Sequence, residues 1–321
     1  MLKRILLGIA GVLLLVIVAG ATLVQLRWKR TFDVPLPTLQ ASTDSGVIAR
    51  GRYLVYGPAR CIECHVNRAE AESVRTGATP ALAGGFEFPT PVGTFITPNI
   101  TPHPTLGIGR LTDGQIARAL RSGVRHDGRV LIPFMEFENL SDADIQAVIS
   151  FLRSQPPVAR EVPEHRINLA GKMVLAYMMK PPAPSGAPAT SPAESATVER
   201  GRYLAEAVAT CASCHSKRSD TDGSYIGPRY AGGNRFEDLS VGDEVFVSPN
   251  LTPATAGRIT GWTEDQFVER FRMGPILPHT PMPWSAFKRM SETDVRAIYR
   301  YLKTLPAVEN DPGPSIQKKA D

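Results

Sequence analysis

The chain opens on apolar residues. Ile5 to Leu26 is a nearly unbroken apolar run behind Lys3 and Arg4. Its length suits a membrane-spanning helix, which needs about 20 such residues. A cleaved signal peptide has a shorter apolar core and a small-residue cleavage site. Ala19-Gly20-Ala21 keeps that alternative open, and length favours an uncleaved anchor. Further on, the pattern turns helical in short stretches. After Ser141, Ile145, Val148, Ile149 and Leu152 recur at helical spacing until Pro156; after Ser291, Val295, Ile298, Tyr299 and Leu302 do so until Pro306. Ser141 and Ser291 read as N-caps, each with an aspartate three residues on. Thr112 with Gln115, and Thr263 with Gln266, read as capping boxes. No strong strand alternation is visible. The stretches between helices are rich in glycine and proline, with 28 prolines in all. The predicted class is all-α, with loop-heavy units that have little apolar core of their own.

The elements come in pairs, which makes the chain an internal repeat. Arg50-Gly51-Arg52-Tyr53-Leu54 matches Arg200-Gly201-Arg202-Tyr203-Leu204. Leu82-Ala83-Gly84-Gly85 matches Tyr230-Ala231-Gly232-Gly233. Thr97-Pro98-Asn99-Ile100-Thr101-Pro102 matches Ser248-Pro249-Asn250-Leu251-Thr252-Pro253. The capped helices match likewise. The predicted organisation is an anchor or signal over 1–26, a tether over 27–46 and a first domain over 47–160. A linker with a short apolar helix follows over 161–197, then a second domain over 198–309 and a polar tail over 310–321. Within the linker, Pro181 to Pro192 reads as extended or mobile. The Ile167 to Tyr177 stretch is too short to span a bilayer. It suits packing between the domains, or docking on a partner or a membrane surface.

Each repeat contains one Cys-x-x-Cys-His: Cys61-Ile62-Glu63-Cys64-His65 and Cys211-Ala212-Ser213-Cys214-His215. The two copies use all four cysteines. That pattern reads as covalent attachment of c-type haem, two per chain, with thioethers from Cys61, Cys64, Cys211 and Cys214. His65 and His215 are then the proximal iron ligands. The rivals are a disulfide or redox Cys-x-x-Cys, which needs a strand-to-helix setting absent from the flanks, and a four-sulfur zinc site. The shared histidine argues against zinc. A six-coordinate haem needs a second axial ligand, and methionine is a common one in electron carriers. Alignment of the repeats selects Met135 in Pro133-Phe134-Met135 and Met282 in Pro281-Met282-Pro283, each shortly before the last helix of its repeat. Met273 and Met290 are unmatched. Met173, Met178 and Met179 lie outside both repeats and suit helix packing. His103, His126, His165 and His279 are also unmatched, and suit surface or hydrogen-bonding roles; His279 is the nearest substitute for Met282.

These motifs together resemble class I cytochrome c domains. More narrowly, they are similar to those in the cytochrome c subunits of membrane-bound bacterial alcohol and gluconate dehydrogenases. The resemblance implies two tandem all-α domains, each wrapped around a covalent haem, with iron ligands His65, Met135, His215 and Met282. It implies that the first and last helices of each domain cross at a small residue, where Gly51 and Gly201 fall, and that the Asn99 and Asn250 segments line the haem edge. The chain departs from that group in having two such domains rather than three, and an apolar segment at the N-terminal end.

Haem attachment of this kind implies the periplasmic face of a bacterial inner membrane. The function expected is an electron carrier, not an enzyme in itself. It would relay single electrons from a dehydrogenase or other donor to a terminal oxidase or soluble cytochrome. Alternatives are a dihaem redox enzyme of peroxidase or thiosulfate-oxidising type, and a cytochrome subunit of a haem-copper oxidase. The formal net charge of +5 suits steering toward acidic redox partners. The basic residues are scattered and no nucleic-acid motif occurs, so no nucleic-acid role is expected.

Overall fold

In a computed structural model, the described residues are 1–321 except 183–185, 187, 220–222, 238–242, 278 and 320–321. Part of the expected Pro181 to Pro192 linker lies outside the described residues. Helix α1 (Leu2–Arg27) carries the apolar run; Val24 alone within it is buried. In the first half, α2 (Ser45–Tyr56) leads to a single turn, α3 (Cys61–Cys64), then α4 (Arg68–Arg75). Strands β1 (Glu87–Thr90) and β2 (Gly93–Ile96) form a hairpin, followed by α5 (Asp113–Ser122) and α6 (Asp142–Ser154). Strand β3 (Arg166–Ile167) returns to pair with β2. A ten-residue helix, Leu169–Met178, follows; its first turn is α7 (Leu169–Met173) and the rest is wound as a π-helix.

The second half repeats this order. It has α8 (Val198–Tyr203), continued as a π-turn over Leu204–Val208, then α9 (Cys211–His215). Strands β4 (Arg235–Glu237) and β5 (Glu244–Val247) precede α10 (Glu264–Met273), the turn α11 (Trp284–Phe287) and α12 (Glu292–Leu302). Strand β6 (Ile316–Lys318) returns to pair with β5.

The helix ends follow the sequence signals. Thr112 and Thr263 each close a reciprocal capping box with Gln115 and Gln266. Ser141 and Ser291 accept from the Asp144 and Asp294 amides at 3.1 Å. The strands correct the all-α expectation. Helices cover 42% of the chain, and two three-stranded antiparallel sheets, β1-β2-β3 and β4-β5-β6, accompany them. Each strand holds two to four residues. That is too short to display alternation, and the third strand of each sheet arrives from beyond the last helix. Strand β3 therefore lies in the stretch read as linker, and β6 in the stretch read as a polar tail.

Helix α2 packs on α6 and α8 on α12. Gly51 permits the first crossing, because a Cβ there would overlap the Ala147 carbonyl oxygen. Gly201 permits the second, against the Ala297 carbonyl oxygen. The buried core runs through both crossings, from Leu54, Ile145 and Ile149 to Leu204, Val295 and Ile298.

The halves are joined by reciprocal contacts. Tyr203 reaches into the first half and donates to Asp144 Oδ2 at 2.7 Å; Tyr53 reaches into the second and donates to Asp294 Oδ2 at 2.7 Å. Each tyrosine oxygen also accepts from the amide of the opposing N-cap serine, Ser141 or Ser291. Behind each aspartate stands an arginine of its own half. Arg50 pairs with Asp144 and Arg200 with Asp294, both at 2.9 Å. Burial first, and the facing carboxylate second, push both phenols above their usual range, so they remain donors.

Helix Leu169–Met178 does not pack between the halves. It sits at the foot of α1, with Lys172 over the Trp28 ring, Arg27 over the Tyr177 ring, and Lys172 Nζ 3.3 Å from Gln25 Oε1. Gly171 lets it close on the β1–β2 turn, since a Cβ there would overlap the Val92 carbonyl. Met173 and Met178, expected as packing residues, are exposed along with Leu169 and Tyr177. Only Gly171, Leu175 and Ala176 of this helix face inward, so the methionines fall on its outer side.

Candidate functional site

The site is built twice from the same local parts. In each half the first helix ends at a turn whose last residue is left-handed. Arg60 has φ of 49° and Thr210 has φ of 47°. This conformation is uncommon for residues with a Cβ and costs about 1 kcal/mol or more. Here it swings the chain straight into the Cys-x-x-Cys-His turn, α3 or α9. Ile62 and Ala212 in the middle of each turn are buried, and the cysteines on either side stay partly exposed.

No disulfide joins the four cysteines. Among the described residues no cluster of three His, Cys, Asp or Glu side chains converges, which removes the four-sulfur zinc arrangement. Burial pushes Cys61 and Cys211 up to about 12 and Cys64 up to about 11; Cys214 is also raised. A redox Cys-x-x-Cys works through a depressed thiol, and burial here acts in the opposite direction.

The histidines are nine-tenths buried, each 8% exposed. His65 Nδ1 lies 3.0 Å from the Pro98 carbonyl oxygen, and His215 Nδ1 lies 3.0 Å from that of Pro249. A carbonyl oxygen only accepts, so Nδ1 carries the proton and Nε2 keeps its lone pair. This fixed tautomer is how a protein prepares an imidazole for a metal. Burial lowers both histidine pKa values and so favours the neutral ring, against the pull of the carbonyl bond.

The supporting frame is also duplicated. The Gly84 amide donates to His65 O at 2.8 Å, and the Gly232 amide to His215 O at 2.9 Å. Both glycines have positive φ and lie so close to the proline loop that a Cβ would strike its backbone. Asn99 and Asn250 staple that loop. Each donates from Nδ2 to the carbonyls of Val158 and Arg160, or of Val308 and Asn310, and accepts from Thr101 or Thr252. Two thiols beside one oriented imidazole, held by the same frame in both halves, fit a covalent haem by their donor chemistry.

The remaining candidates separate by burial. Met135 and Met282 are half-buried and pack at the edge of the core. Met290 is 1% exposed and is core; Met273 is 59% exposed and lies at the surface. His103 accepts from the Leu106 amide and His165 from the Ile96 amide, so both are hydrogen-bonding residues as expected. The sequence reading missed the carbonyls of Pro98 and Pro249 as histidine partners, and the crossing roles of Tyr53 and Tyr203. The tyrosines stood in the Arg-Gly-Arg-Tyr-Leu match, and that repetition was the available signal.

Comparison with known proteins agrees with this chemistry. A cytochrome c family model matches residues 198–306. The chain is 29% identical over 296 residues to one of the subunits of nicotinate dehydrogenase from Pseudomonas putida, a match covering 89% of this chain and 24% of that protein. It is 29% identical over 316 residues to the cytochrome c subunit of a quinone alcohol dehydrogenase from Gluconacetobacter polyoxogenes, covering 89% of this chain and 64% of the relative. The chain thus spans a quarter to about two thirds of the length of these relatives. It is 30% identical over 323 residues to a dihaem cytochrome c-type protein of Cereibacter sphaeroides, covering 92% of this chain and 97% of that one. The family implies covalent haem c and electron transfer, and the chain belongs to the cytochrome c family.

Proposed function

We propose that the chain is a membrane-anchored dihaem cytochrome c. It relays single electrons from a dehydrogenase to a terminal oxidase or soluble cytochrome. One haem is held by Cys61, Cys64, His65 and Met135, the other by Cys211, Cys214, His215 and Met282, in two tandem cytochrome c domains. Bound haem c supplies one-electron exchange at its iron. The protein's part is to orient and to shield. Pro98 and Pro249 fix the imidazoles. Gly84 and Gly232 hold the histidine backbones, and Met135 and Met282 lie beside the core as sulfur donors. The observation that carries the reading is the repetition of one donor set, with the same histidine–proline bond, in both halves.

A periplasmic dehydrogenase is the proposed donor, because the alcohol dehydrogenase, fructose dehydrogenase and gluconate 2-dehydrogenase relatives are named as cytochrome subunits. Helix α1 is proposed to span the inner membrane, with both halves on the periplasmic side. Its helical length of 26 residues, the Trp28 at its end and the brace from Leu169–Met178 support this.

Mass analysis and an optical redox titration of the detergent-solubilised chain test the assignment together. The expected result is two covalent haems, two one-electron steps in the positive range of histidine–methionine ligation, and no carbon monoxide binding by the reduced protein. Unmodified thiols, or ready carbon monoxide binding, would reject the assignment.

A further inference from the structure

The two attachment motifs touch each other through one side chain. Arg60 precedes Cys61 in the first half, and its guanidinium crosses to the second. Nη1 donates to the Ala209 carbonyl at 2.5 Å and Nη2 donates to Thr210 Oγ1 at 2.9 Å. Thr210 is the residue that precedes Cys211, in the same left-handed conformation as Arg60. One arginine therefore leaves the entry to one motif and grips the entry to the other.

Two further contacts reinforce the junction from opposite sides. Ser213, inside the second motif, donates to Glu136, the neighbour of Met135, and Arg218 pairs with that carboxylate at 2.6 Å. Glu63, inside the first motif, accepts from the Ala286 amide at 2.9 Å, four residues beyond Met282. Each motif is thus fastened to the methionine loop of the other half. The fastening is reciprocal, but the cation is not. Arginine stands at this point in the first half and threonine in the second.

Resting on the reading of two haems, we propose that Arg60 is a positioning residue shared by both sites. It locks one attachment motif against the other and biases both irons toward the reduced state. A fixed cation in partly desolvated surroundings favours the oxidation state with one positive charge fewer. With haem held at both motifs, an electron given up by a ferrous site would reduce a ferric one, so the exchange would balance without another reactant. Because the guanidinium lies against both motifs, it shifts both equilibria the same way and leaves the driving force between them nearly unchanged.

The test is an optical redox titration of the full chain in detergent, with haem counted by mass on the same samples. Arg60→Thr is the chosen variant, since Thr210 already occupies this conformation in the other half. Both reduction equilibria should weaken about three- to tenfold, a tenfold change being 59 mV for one electron. Arg60→Lys should restore most of that shift. Thr210→Arg places a second cation at the junction; it should raise both equilibria, and carries the test if Arg60→Thr assembles poorly. A doubly haem-loaded variant in which either midpoint stays at the wild-type value would overturn the shared role. A wild type with fewer than two haems would instead sink the reading on which the proposal rests.

Discussion

His65 and His215 show how little freedom a buried imidazole keeps. Each ring is buried, each Nδ1 is committed to a proline carbonyl, and each backbone carbonyl is held by a glycine amide. Only Nε2 is left to react. The methionines invite a direct contrast, because Met282 is half-buried at the core edge while Met290 is fully enclosed. Met282→Ala should abolish the sulfur-to-iron charge-transfer absorption and lower one midpoint, with little loss of fold stability. Met290→Ala should leave the spectrum intact and cost about 2–5 kcal/mol in denaturant unfolding, the usual result of emptying a core site. The reverse pattern would make Met290 the ligand. The cysteines and histidines were legible in the sequence because a fixed pentapeptide encodes their chemistry. The proline carbonyls were not, since any residue offers a carbonyl and only the folded loop aims it.

Element by element, the helices were legible and the strands were not. Caps located the starts of α5, α6, α10 and α12, and periodicity carried α6 and α12 toward the prolines beyond them, because those signals are local. The sheets depend on β3 and β6 returning from beyond the last helix of each half, and pairing over such distances leaves no mark in a strand of two or three residues. The α8–α12 crossing offers the sharpest test at this scale. A Cβ at Gly201 would overlap the Ala297 carbonyl and press on the Tyr301 side chain. Gly201→Ala should therefore force the helices apart and cost about 1–3 kcal/mol, the range for overpacking, rather than stabilise as helix propensity alone would suggest. Chemical denaturation followed by circular dichroism measures the change. A variant more stable than wild type would mean that α8 can shift along α12 without penalty.

At the scale of the whole molecule, the Arg–Asp–Tyr chains hold the halves together. Arg200 is fully buried and Asp294 nearly so, whereas Arg50 keeps some exposure and also reaches Glu194 at 3.0 Å. Removing one partner of a buried pair leaves an uncompensated charge. Asp294→Ala should thus cost about 3–5 kcal/mol. Asp144→Ala should cost less, because Arg50 retains Glu194 at 3.0 Å and water, whereas the fully buried Arg200 retains only the Pro192 carbonyl and a more distant Glu194 at 4.0 Å. Thermal unfolding of the two variants side by side reads the difference, and equal losses would show that the burial of Arg200 has no energetic weight. This asymmetry was invisible in the sequence, where both arginines stand in the same matched motif.

The crossed tyrosines carry one more consequence. Each half presents the other with the same tyrosine, the same serine cap and the same aspartate, which is the self-complementary arrangement of a symmetric homodimer. The polypeptide between the halves adds contacts of its own, such as Glu194 on Arg50, and also raises the local concentration of one half for the other. Severed within 188–197 by a protease, the two fragments should still migrate as a single species.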